Sequence, residues 1–211
     1  MPRGVAIPEL KQQLFTAVER LLNHDGPSEL SSRRITAEAG VAKGVLHNHF
    51  VDLDQFLAEF VMAAFHAAHL VADELQTMAG QGTVPDNLAQ TADSLLGPRV
   101  AAAHNLLSSR PSLIARLGER HGHRAPGLAS LEQSFTRYLD AERELGRITA
   151  DADTEAMAIA LVATIHRVLV GGDTTAEPRS AIRRVISALT GPTRPGPRRS
   201  EGDATPLTPA Q

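Results

Sequence analysis

Alanine and leucine together supply 57 of the 211 residues, against 13 valines and 8 isoleucines, and aromatic residues make up only 3%. Straight-chain helix formers thus dominate over the β-branched and aromatic residues that fill pleated sheets, which predicts an all-α chain. The length suffices to bury a core without covalent staples. There is no cysteine, so a disulfide framework, a thiol nucleophile and a thiolate metal centre are all excluded. With 42% hydrophobic and 21% charged residues and a formal charge of -3, the composition is that of an ordinary globule. The most apolar run, 156–163, is far shorter than the ~20 residues of a membrane span, so none is expected. Met1 to Gly4 leads into Glu9 and Lys11 without an apolar signal core, so a cytoplasmic location is expected.

Pro8 opens a first helix whose apolar residues Leu10, Leu14, Val18 and Leu22 repeat at helical spacing until Asp25-Gly26-Pro27. Ser31 or Ser32 can cap a short second helix carrying Ile35 and Ala39, and Gly40 suits its C-terminal end. A third helix follows within about three residues, a seven-residue rod starting at Lys43. Asp52 or Asp54 then opens a long fourth helix to about Ala79. Further helical stretches are expected at 86–109, 111–121, 127–146, 153–171 and 178–190, the first split at Gly97-Pro98. From 191 onward five of thirteen prolines fall among few large apolar residues, which predicts a disordered tail.

The informative stretch runs from Ile35 to Phe50. Two short helices around a Gly-containing turn, with Ile35, Ala39, Val41, Leu46 and Phe50 at interlocking positions, describe a helix-turn-helix. Its second helix is the one that enters a DNA major groove, leaving Lys43, Gly44, Val45, His47 and Asn48 to reach phosphates and base edges. Arg33 and Arg34, with Lys43, add cations near the starts of the two helices, where amide dipoles also favour phosphate. Residues 1–57 nevertheless hold six Lys and Arg against seven Asp and Glu. His47 and His49 offer a second source of positive charge, since imidazoles protonate near neutrality.

This stretch resembles the DNA-binding domain of the TetR family of bacterial transcriptional regulators. Ala39-Gly40-Val41, Lys43-Gly44, Leu46 and Phe50 stand in register with its signature, and the match extends over about residues 9–57. Ala42, Val45, His47 and Leu53 depart from its usual serine, threonine, tyrosine and lysine. The resemblance implies a three-helix DNA-binding domain at 1–53, a helical effector-binding and dimerisation domain at 54–190, and the tail at 191–211. The DNA-contacting candidates are then Ser32, Arg33, Arg34, Thr36, Ala42, Lys43, Gly44, Val45, His47, Asn48 and His49.

In the family the interior of the later helices encloses a small-molecule pocket, for which Met62, Phe65, His66, His69, His104, Phe135, Tyr138 and His166 are the lining candidates. An apolar helix at 153–171 and the Ile182, Val185, Ile186, Leu189 stripe of 178–190 are expected to pair with their copies in a homodimer. The implied partners are operator DNA, a second copy and an effector of unknown identity, with no cofactor and no membrane; the implied role is ligand-responsive repression. A rival reading is a metal protein or enzyme using His66, His69 and Asp73, one helical turn apart, although a phosphate loop and a Gly-x-Ser-x-Gly turn are both missing. The other rival is a dimerisation adapter that does not bind DNA.

Overall fold

The structure, a computed structural model, describes residues 7–121, 127–171 and 178–191. Every regular element in them is helical. In chain order these are α1 (Ile7–His24), α2 (Ser32–Glu38), α3 (Val45–His49), α4 (Leu53–Glu74), α5 (Val84–Leu95), α6 (Pro98–Ser109), α7 (Pro111–His121), α8 (Leu128–Glu144), α9 (Thr154–Gly171) and α10 (Pro178–Thr190). A 3₁₀ turn, Pro27–Glu29, follows α1, and another, Leu75–Met78, extends α4. The expected tail lies, beyond its first residue, outside the described residues.

Two apolar cores divide the molecule along α4. The first joins Leu14, Val18, Ile35, Leu46, Phe56 and Phe60 to Ala102, Leu106, Leu113 and Leu117, so α6 and α7 pack into the same core as α1–α3. Phe15 anchors it, with Phe56 and Phe60 rings at 5.6 and 5.5 Å. The second core gathers Leu75 of the turn after α4 with Leu88, Leu95, Phe135, Tyr138, Leu161, Ile165, Ile182 and Ile186 from α5, α8, α9 and α10. Burial of such side chains contributes roughly 1.5–3 kcal/mol each, the main term opposing chain entropy.

Two sequence expectations change here. The stripe of α10 does not await a copy: Ile182 and Ile186 are buried, and Val185 and Leu189 pack on the same core, beside α5 and α9. Of the two expected helices, α9 keeps an open apolar face, where Ile159 is 46% and Val170 54% exposed. By length and composition Leu53–Met78 and Thr154–Gly171 both qualify as membrane spans, against the expectation drawn from unbroken apolar runs. In α4, however, Phe56, Leu57, Phe60, Val61 and Ala64 are spent on the chain's own core, as in a central helix of a globule.

Candidate nucleic-acid interface

Local chemistry builds the α2–α3 pair. Ser31, in extended conformation, caps α2 by accepting from the Arg34 N–H at 3.3 Å. Ser32 is the first helical residue rather than the cap. At the other end Gly40 takes φ +66°, its N–H bonding the Ala37 carbonyl and the Val41 N–H the Thr36 carbonyl. These two bonds form a Schellman ending, and Gly40 takes the left-handed position without side-chain strain. Gln13 of α1 donates to the Ala39 carbonyl at 2.7 Å and so holds the turn from behind.

The second helix is shorter than expected. Lys43 and Gly44 form the turn that leads into α3, which starts at Val45, and Leu46 is its buried contact. Ala42, Lys43, Gly44, His47, Asn48 and His49 are all exposed, giving one continuous outward surface. Val45 is half-buried against the first core, so only part of it faces out. Thr36 is fully buried: its hydroxyl donates to the carbonyls of Ser32 and Arg33, which removes it from any outward contact. Arg34 bonds Asp25 and Glu29, and its charge is largely neutralised within the chain. Ser32 is half-buried beside it.

Counting paired charges then defines the electrostatics of this surface. Lys11 pairs with Glu59, Arg20 lies 3.7 Å from Glu38, and Arg34 is committed as above. Among the described residues of α1–α3, Arg33 and Lys43 are the cations without a carboxylate partner. Both are exposed. Two unpaired cations beside a projecting short helix are a small but usable phosphate-binding set.

The expected pocket-lining residues divide between different surroundings. Phe65, His104 and His166 come together from α4, α6 and α9, with ring centroids 6.0 Å apart for Phe65–His104 and 5.1 Å for His104–His166. Burial pushes the His104 imidazole below its ordinary pKa, and the nearby His166 adds to this. Met62 packs half-buried at the first core, whereas Phe135 and Tyr138 are fully buried members of the second. The Tyr138 hydroxyl accepts from Asn87 at 2.9 Å, and burial raises its pKa. His66 is exposed. His69 meets Ser130 at 3.2 Å, and burial lowers its pKa too.

The metal reading loses its carboxylate. Asp73 accepts from Ser134 at 2.7 Å and from Arg137 at 3.0 Å, and no cluster of three or more His, Asp or Glu able to hold an ion occurs among the described residues. One buried polar group escaped the sequence reading. Glu142, fully buried, faces Arg147 at 3.1 Å and accepts from the Gly80 N–H, tying the end of α8 to the turn after α4. Nothing in the local pattern distinguishes this glutamate from the solvated ones around it.

A reading helix projecting from a packed three-helix head, carried on an all-helical body, defines a helix-turn-helix DNA-binding protein. Residues 14–60 match the family of bacterial regulatory proteins described as the tetR family. A helix-turn-helix-type transcriptional regulator of Haemophilus influenzae is 33% identical over 57 residues, an alignment covering 27% of this chain and 30% of that protein. The whole fold is similar to a TetR-family transcriptional regulator structure from Mesorhizobium loti, with TM-score 0.67, 15% identity, and 88% and 96% of the two chains covered. It is also similar to the fatty acid degradation regulator FadR of Bacillus halodurans, with TM-score 0.61, 17% identity, and 87% and 95% covered. SmeT, the repressor of a Stenotrophomonas maltophilia multidrug efflux pump, gives TM-score 0.59 at 15% identity, with 87% and 89% covered. The tetR-family match is thus confined to residues 14–60, and the chain as a whole has a fold similar to that of TetR-family regulator structures.

Proposed function

We propose that the protein is a homodimeric, ligand-responsive transcriptional regulator, most simply a repressor, that reads a near-palindromic operator. The observation that carries this is the exposed surface of Ala42, Lys43, Gly44, His47 and Asn48 on a capped, buried-backed hairpin, in which Lys43 and the nearby Arg33 have no carboxylate partner. In this reading Lys43 and Arg33 hold phosphates while His47, Asn48 and the exposed part of Val45 meet base edges. His49, Ala42 and Gly44 line the approach, and Ser32 lies at its margin. Arg34 and Thr36 serve the hairpin's shape rather than the contact. The dimer forms through α9, with Ile159 and Val170 on the paired face, so that two heads sit about one DNA turn, ~34 Å, apart.

The effector site is centred on Phe65, His104 and His166, where α4, α6 and α9 meet around two imidazoles and a ring. A compound that favours one arrangement of α4 and α6 shifts the population between DNA-competent and incompetent forms. The working location is the cytoplasm, with the chromosome. The test is titration of a labelled duplex carrying the sequence upstream of the gene against wild type, Lys43→Ala and Asn48→Ala. Lys43→Ala is expected to weaken operator and random duplex alike, and Asn48→Ala the operator selectively, by about 1–3 kcal/mol. Equal affinity of wild type for both duplexes refutes sequence reading by this head.

A further inference from the structure

Arg110 stands at the elbow between α6 and α7, yet its guanidinium ends on the head. Nη1 donates to Asp54 Oδ1 at 3.2 Å, in the first turn of α4, and Nη2 donates to the Leu30 carbonyl at 3.1 Å. Leu30 immediately precedes Ser31, the cap of α2, so this second arm grips the strand of chain from which the DNA-reading pair begins. Ser112, two residues beyond Arg110, donates to the other Asp54 oxygen at 3.0 Å. Neighbouring ion pairs join the same parts: Arg116 meets Asp52 at the start of α4, and Arg99 of α6 meets Glu19 on α1. A planar fork can serve two acceptors on separate elements at fixed angles, which a lysine ammonium on a flexible stem does poorly. The side chains of Arg110 and Asp54 are 25% and 29% exposed, sheltered enough for this geometry to be held.

The elbow is also mechanically continuous with the head. Leu106 of α6 and Leu113 of α7 are fully buried in the core that holds Ile35 and Leu46. His104 lies six residues before Arg110, on the helix that touches both His166 and Phe65, about 9 Å along its axis.

We propose that Arg110 is a positioning residue: its two arms, on Asp54 and on the Leu30 carbonyl, set the attitude of the α2–α3 pair on α4. The inference rests on the DNA-binding reading above for its consequence but not for its first test. That test is amide hydrogen exchange of the full chain without DNA, comparing wild type, Arg110→Gln, Arg110→Lys and Asp54→Asn. Both Arg110 variants are expected to speed exchange of the Ile35–Phe50 amides about tenfold, the scale of one lost charge-assisted hydrogen bond, and to leave α8 and α9 unchanged. Asp54→Asn keeps the Leu30 arm and is expected to change the same amides by no more than about threefold. If Arg110→Gln does not fold, the lysine and asparagine variants carry the comparison alone.

Binding then supplies the readout that a merely structural role would not move. On the duplex from upstream of the gene, Arg110→Lys is expected to lose about tenfold in affinity while random duplex, held by Arg33 and Lys43, changes less than about twofold. Wild-type exchange in Arg110→Lys, or acceleration spread evenly over all helices, overturns the proposal. Exchange that responds as expected in a protein whose wild type binds neither duplex leaves the positioning role standing and removes the DNA-binding reading instead.

Discussion

Gly40 and Gly44 flank the same short turn and should respond oppositely to alanine. At Gly40, φ is +66° and an added Cβ meets nothing within 4 Å, so Gly40→Ala pays only the left-handed backbone term, about 1–2 kcal/mol. Gly44 has φ -78° and equally open space, and Gly44→Ala should be neutral or stabilise by about 0.4–1 kcal/mol, chiefly by stiffening the unfolded chain. Urea midpoints of the two variants check the contrast. His104 gives a pH signature. Its folded pKa lies below the ordinary value of 6.5, so the unfolded chain takes up the proton first. The stability tied to its neutral form is complete above that value and falls as pH drops from there towards the folded pKa. His104→Phe should flatten that part of a stability-against-pH curve, and an unchanged slope would show that other groups produce it.

Elements were legible in the sequence where their signals are local. The α2–α3 turn could be placed because apolar spacing, a capping serine and a glycine all fall within 20 residues and agree with one another. The identity of the cap, Ser31 rather than Ser32, and the later start of α3 differ by a residue or two, as helix ends do. Pairings across the chain were not legible: Arg34 reads as a free cation until the turn after α1 brings Asp25 and Glu29 to it, and Glu142 reads as solvated until Arg147 covers it. The paired state of Arg34 changes a measurable quantity. In the proposed dimer, two unpaired cations per head would make four phosphate contacts, so log K should fall with log salt at a slope of about -4, and Lys43→Ala should halve it. A slope near -8 would mean that Arg34 and Arg20 leave their carboxylates to meet the DNA.

For the whole molecule, the stripe on α10 shows why one helix cannot reveal its own partner. Ile182 and Ile186 are equally apolar whether a second copy or α5 and α9 cover them, and only the three-dimensional arrangement decides. The remaining apolar face on α9 predicts that Ile159→Arg yields a folded monomer, read by sedimentation with an unchanged helical spectrum. A dimer that persists would place the interface elsewhere. In the proposed dimer the assembly would set the spacing of the two reading helices, while within each copy Arg110 ties the α6–α7 elbow to the head. Footprinting of the wild-type protein on the DNA upstream of its gene tests the central claim most directly. Two protected half-sites related by two-fold symmetry and centred about one helical turn apart are the predicted result. Protection that is absent, or confined to a single asymmetric site, would contradict it.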